Sequence, residues 1–469
     1  MEEKSFNSRR QFLINSGVAT LGFMGLNQFL NPLAEAHEIN GCLGYGPLQN
    51  DDKGILNLPK GFEYKIISKK GKIMDDGWWT PGRPDGMGAF EGDDGKVILV
   101  RNHENSPDDF ENGAFGPENE NLAQAELDKF YEKGKGNLPA LGGTTTLVYN
   151  EKTGEVEQEF MSLAGTVRNC AGGVTPWNSW LTCEESVVKA GDYSGNLEKD
   201  HGFVFEVLAK RDGKLQNAIP IKEMGRFNHE AVAVDPRTGI VFLTEDRGDG
   251  LFYRYIPHVP GKLYQGGKLQ ALCLSWGKGR DTRNWKGQQE GFFPVGKPQS
   301  IYWIDLEDIG SPHDDLRYRG YGKGAARFAR GEGIWFGENE LYFACTNGGE
   351  IGAGQVFKYI PGENEGKENE YKTPGSLELF AEPNDRDLLK NCDNVAIAPW
   401  GDLLLCEDHP HPFVVGITPE GRFYKLAENI GFESEFAGGV FSPSGQTYFV
   451  NIQDAGITLA ITGPWRNLR

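Results

Sequence analysis

The stretch "HEAVAVDPRTGIVFLTED", His229 to Asp246, carries two apolar runs, small and large residues alternating in Ala-Val-Ala-Val, on either side of a Pro-Arg-Thr-Gly turn. Two short strands joined by a tight turn satisfy that pattern, because a period of two turns one face of each strand toward a core. Acids mark its open ends. Glu230 stands where the first strand begins, and Glu245 and Asp246 where the second finishes. A hairpin brings its open ends side by side. Carboxylates that close repel one another unless they face water or surround a cation.

Five other stretches share the layout. They are "MGAFEGDDGKVILVRNHE" ending at Glu104, "NCAGGVTPWNSWLTCEE" ending at Glu185, and "GEGIWFGENELYFACTNGG" ending at Gly349. "CDNVAIAPWGDLLLCEDH" ends at His409, and "EFAGGVFSPSGQTYFVNIQD" at Asp454. Six copies spaced ~70 residues apart exceed the ~40–50 of common propeller repeats, which leaves room for outer strands. The expectation is an all-β six-bladed β-propeller with inserted loops and short helices, residues 37–469 forming one catalytic domain. A pair of β-sandwiches is the fallback. An acidic insertion over about 105–139 carries a predicted helix in "NLAQAELDKFYEKG".

Stacking the hairpins on their apolar triplets gives columns that mix acids and cysteines. One holds Cys183, Glu245 and Glu407, the next Glu184, Asp246 and Asp408, and a third, near the first-strand starts, Cys170, Glu230, Glu332 and Asp393. If the hairpins line a central channel, acids from at least four of them converge. Two carboxylates ~4 Å apart repel by ~4 kcal/mol at an effective dielectric near 20. Such a cluster is therefore protonated in part or holds multivalent cations. All-oxygen sites suit calcium or magnesium, and a thiolate such as that of Cys183 shifts preference toward a transition metal. Arg330, two residues before Glu332, has the fork geometry for a phosphate or carboxylate. Arg168 and Asn169 precede another first strand and can donate similarly. The alternatives are a water-filled polar channel and, for each arginine, an ordinary salt bridge. His103, His229 and His409 flank the columns as ligands or as packing residues.

The net charge of −19 argues against nucleic acid and anionic membrane surfaces as partners. Aromatics at 12% exclude a disordered composition. The first 36 residues run from twin arginines, Arg9 and Arg10, through a modest apolar stretch to Ala34-Glu35-Ala36. That order is an export signal of the twin-arginine type, cleaved near His37, and it implies the export machinery as a partner and a periplasmic or secreted protein. The apolar stretch is short for a span, so no stable membrane insertion is expected. Seven cysteines include no CxxC pair, which disfavours a zinc ribbon.

"SRRQFL", "RNHE", "RNCAGGVTPWNSWLTCEE", "FNHEAVAVDPRTGIVFLTED", "ARGEGIWF", "CDNVAIAPWGDLLLCED" and "FAGGVFSPSGQTYFVNIQ" together resemble the PhoX family of exported alkaline phosphatases. The resemblance implies a six-bladed propeller and a centre of iron and calcium ions bridged by an oxo group. It implies hydrolysis of small phosphate monoesters, and a monomer is expected. Carried over by motif, the metal ligands are Cys183, Glu184, Glu230, Glu245, Asp246, Glu332 and Glu407, with Arg330 contacting phosphate. Two competing readings share the architecture: a calcium-dependent lactonase or phosphodiesterase, and a non-catalytic binding propeller. Metal content separates the three.

Overall fold

The computed structural model describes residues 44–289 and 291–466, so the export signal lies outside the described residues. Each of the six stretches forms the expected hairpin. The paired strands are Pro84–Glu91 with Lys96–His103, Asn169–Val174 with Ser179–Glu184, and His229–Val234 with Val241–Glu245. They continue with Gly331–Phe336 and Leu341–Cys345, Cys392–Ile397 and Leu403–Glu407, and Phe436–Phe441 and Thr447–Ile452. The first strands follow one another around an axis, and Pro84–Glu91 packs against Phe436–Phe441 to close the ring.

The expectation of six separate blades is corrected by the hydrogen bonding. Four sheets stand as blades, with four, three, six and four strands, and the remaining ten strands form one continuous sheet. The hairpins at 229–245 and 331–345 belong to that one sheet. They are joined because Gln299–Asp305 pairs on one edge with Gly267–Leu274 and on the other with Ser376–Ala381. An exposed strand edge is a liability, and here two outer edges cover each other. The arrangement is all-β and propeller-like: four blades plus a ten-stranded sheet. Residues near the start of the described chain also cover edges. Glu63–Lys69 pairs with Ile457–Thr462, and Leu56–Pro59 with Phe423–Asn429.

All six hairpins carry the same irregularity. The register shifts between the first and fourth residues of the pairing, at Pro84/Met87, Asn169/Gly172, His229/Val232, Gly331/Ile334, Cys392/Val395 and Ala437/Val440. Such bulges bend a strand and re-aim a side chain. Within them, glycines let neighbouring first strands touch backbone to backbone. A Cβ on Gly86 would lie 2.6 Å from the Ala171 Cα, and one on Gly333 2.7 Å from the Asn394 Cα. Gly438, at φ +65°, faces the Asp85 carbonyl and closes the ring. Below this collar Trp335 packs on two apolar clusters, which draw on its own sheet and on three others.

The insertion holds no α-helix among the described residues. Leu122–Gln124 and Leu127–Lys129 are single 3-10 turns. Phe115 and Phe130 stack at 5.6 Å within a small core that includes Leu122 and Leu141, so burying these aromatics overrides the local helical pattern.

Candidate active site

The bulges decide which side chains reach the axis. Between each pair of shifted registers lies one residue of a ring: Asp85, Cys170, Glu230, Glu332, Asp393 and Gly438. The first five line a cavity of ≈ 260 Å³ at one mouth of the channel. A second ring enters from the ends of the second strands, with Glu104, Glu185, Asp246 and Asp408. Arg83, Arg168 and Arg330 enter from just before three first strands, each at positive φ, and Glu435 and Gln453 complete the lining. Nine carboxylates thus face three guanidiniums around one small volume.

Such an imbalance shows in the acidities. Burial pushes Glu230 well above the ordinary carboxylate range, and the Glu185 and Asp393 charges push it further. Burial does the same to Glu332, aided by Asp246 and Glu230, and to Asp85, aided by Glu104. Asp393 rises by burial and by the charge of Asp408. Glu185 is pushed up to about 8 by burial, although the Arg168 charge opposes it. The Cys170 thiol is likewise raised by burial and by Glu230.

Two sets of donors converge tightly enough for a cation. Cys170, Glu185 and Glu230 each offer an atom within 4.8 Å of the others, and so do Glu230, Glu332 and Asp393. Glu230 belongs to both. The chemistry of the sets differs: one includes a thiol, the other is all oxygen. Buried carboxylates that resist ionisation unless positive charge is supplied fit multivalent cations.

Arg330 donates from Nε and Nη2 to Asp246 at 2.7 and 2.8 Å, and its Nη2 lies 2.9 Å from Glu332. The sequence-predicted Glu230, Asp246, Glu332 and Arg330 therefore share the cavity. Cys183, Glu184, Glu245, Glu407 and Asn169 lie elsewhere. Cys183 sits one layer behind, in the apolar core with Leu181 and Leu243, and its carbonyl faces the Cys170 thiol at 3.9 Å. Glu184 accepts from the Gly202 and Phe203 N–H groups and from His201 Nδ1 at 2.6 Å. Glu245 accepts from Tyr253 Oη and the Leu251 N–H, and Glu407 from the Lys390 and Phe413 N–H groups. These three acids do one job in three sheets, fixing the loop that leads from the second strand into the third. The Asn169 amide is spent on Thr166 and Thr182.

The sequence motifs assign no role to Asp85, Glu104, Cys170, Glu185, Asp393, Asp408 or Glu435, all of which line the cavity. A signal exists for the ring members Asp85, Cys170 and Asp393. Arg83-Pro-Asp85, Arg168-Asn-Cys170, Asn228-His-Glu230, Arg330-Gly-Glu332 and Asn391-Cys-Asp393 repeat one pattern, a donor two residues before the ring residue. Of the flanking histidines, His103 donates from Nδ1 to the Gly82 carbonyl and bonds the Thr145 hydroxyl through Nε2, and burial drives the pKa of His229 down to about 3. Both are packing residues.

The comparisons with known proteins agree with this geometry. The profile of the family "Alkaline phosphatase PhoX" matches residues 43–456. The chain belongs to the PhoX alkaline phosphatase family. PhoX enzymes hydrolyse phosphomonoesters and depend on metals, and this member is a phosphatase of that kind. Among solved structures, PhoX from Pseudomonas fluorescens, in complex with vanadate, a transition-state analogue, superposes with a TM-score of 0.63. It is 17% identical, and the match covers 87% of this chain and 96% of that one. At that identity it shows the fold alone. A gluconolactonase from Xanthomonas campestris matches at a TM-score of 0.41 and 13% identity, over 90% of this chain and 99% of that one. No curated protein matches in sequence. No helix among the described residues is long and apolar enough to cross a membrane.

Proposed function

We propose that this PhoX protein is exported by the twin-arginine route and hydrolyses small phosphate monoesters at the channel mouth with iron and calcium. Cys170, Glu185 and Glu230 would hold iron, because a thiolate donor is soft. Glu230, Glu332 and Asp393 would hold calcium, because every donor is oxygen. The observation that carries the reading is Glu230, shared by the two sets, with the Arg330 guanidinium paired to Glu332 of the second set.

When bound, the metals supply Lewis-acid polarisation of the phosphoryl group and positive charge for the carboxylates. The chain does the rest. The ring acids orient that charge toward one point, since each comes from a rigid hairpin rather than a loop. Arg330 is fixed by Asp246, so its outer Nη1 edge is preset to take phosphoryl oxygens and stabilise charge that builds on them. Asn169 holds the turn that carries Arg168 and Cys170. Beneath the ring the glycine collar and Trp335 line a space of only ≈ 20 Å³, too small for a phosphate ester, so substrate would enter from the acid side.

The test is phosphate release from an aryl phosphate by protein folded with both metals, together with iron and calcium analysis. Arg330→Ala is expected to lower kcat/KM about 10²-fold or more. Full activity after exhaustive chelation would defeat the reading.

A further inference from the structure

Arg330 is not the cavity's only guanidinium. Arg83 and Arg168 enter from the same position of the first and second hairpins, at φ 45° and 47°, beside the 54° of Arg330. Three bulky side chains in the left-handed region are kept there against the usual preference for glycine or asparagine. In the closed ring the first hairpin stands across the axis from the fourth, so Arg83 faces Arg330 over the cavity.

Arg83 and Arg168 share one carboxylate. Arg83 Nη2 lies 2.9 Å from Glu104 Oε2, and Arg168 Nη2 holds Oε1 of the same group. Arg83 is anchored further by Asp454 Oδ1 at 2.6 Å and by the Glu104 carbonyl at 3.2 Å. Arg168 donates from Nε to the Glu185 carbonyl and from Nη2 to its carboxylate. These bonds engage all three nitrogens of Arg83 but only three of its five N–H groups, and they leave Nη1 of Arg168 without a partner among the described residues. The side chains remain 28% and 34% exposed, which leaves donors directed at the cavity mouth. Two anchored guanidiniums that keep unused N–H groups make a clamp for an oxyanion.

We propose that Arg83 and Arg168 form a second anion subsite, so that the enzyme favours phosphomonoesters bearing a second anionic group, a carboxylate or another phosphate. The inference rests on the phosphatase reading: Arg330 and the metal sets take the scissile phosphoryl group, and the arginine pair takes the other group. Esters of neutral alcohols lack a partner for the pair.

The metal-loaded enzyme is assayed with para-nitrophenyl phosphate, 3-phosphoglycerate and fructose 1,6-bisphosphate. The KM for at least one of the two latter esters is expected about tenfold below that for the first. Arg83→Asn with Arg168→Asn, asparagine being tolerated at positive φ, should bring the ratio within twofold of one. Calorimetric titration of the metal-loaded wild type with phosphonoacetate and methylphosphonate reads the subsite without turnover and without a variant, and phosphonoacetate should bind about tenfold tighter. Equal affinity for the two phosphonates, or a KM ratio the variant leaves in place, overturns the subsite. No phosphate release from any ester, with the affinity difference intact, retires the phosphatase reading and keeps the subsite.

Discussion

Cys170 and Cys183 stand a few ångströms and one layer apart, and the difference decides which can meet a metal. Both thiols are buried, and burial raises both. Only Cys170 opens on the cavity, because the bulge at Asn169/Gly172 turns it to the axis. Cys183 lies in regular pairing with Val204 and packs against apolar neighbours. Cys170→Ser is therefore expected to lose most bound iron and activity. Cys183→Ser should keep its iron and lose about 1–3 kcal/mol of stability for a polar group placed in a core. Iron analysis of the two purified variants, beside their melting curves, checks the pair. The reverse pattern would return the thiolate role to Cys183. The adjacent acids divide in the same way: Glu185 and Asp246 reach the cavity, while Glu184 and Glu245 hold loops.

At the scale of the element, the hairpins were legible in the sequence and their phase was not. Period-two alternation and the Pro/Gly turns locate all six, but stacking on apolar triplets puts Cys183 level with Glu245. The pairing instead sets His103 and Glu184 level with Glu245 and Glu407. One residue of slip moves every side chain to the other face, and an unseen bulge makes that slip invisible to periodicity. The sheet merger was equally hidden, because Gln299–Asp305 gives no sign of which edges it joins. The bulges also depend on close approach. Gly86→Ala would press a methyl against the Ala171 backbone and push two hairpins apart, so a loss of about 1–3 kcal/mol in chemical denaturation is expected. A neutral result would show that the collar yields. A second pin is His201, buried between Glu184 and Glu132, which ties the insertion to the second hairpin. Burial alone would lower its pKa, yet the two carboxylates raise it to about 9. A folded value above the unfolded one means stability that is complete below about pH 6.5 and lost as pH rises through about 9. His201→Gln should flatten the melting temperature between pH 7 and 10, and a slope as steep as wild type would count against the pin.

For the whole molecule, the axis concentrates what the surface disperses. Closing a ring of hairpins forces ring acids from separate parts of the chain into one cavity, and their raised pKa values record the cost of that crowding when no cation compensates it. The direction of those shifts gives the apoprotein a specific weakness. Glu185, Glu230, Glu332 and Asp393 all hold protons in the folded state to higher pH than in the unfolded chain. An acid raised on folding contributes against stability as pH climbs from about 4.5 toward its folded value, which for Glu185 is about 8. The chelated protein should therefore melt at progressively lower temperature from pH 5 to pH 8. Bound cations favour the ionised carboxylates and compete with protons for them, so the metal-loaded protein should hold its melting temperature across the same interval. The gap between the two curves should widen with pH, and because His201 is present in both, its own loss cancels from the difference. Readdition of calcium alone should recover part of the gap, since it can serve only the all-oxygen set, and iron with calcium should recover the rest. Parallel curves for chelated and loaded protein would mean that the acids are compensated without metal, and the reading of the axis as a metal centre would fall with that result.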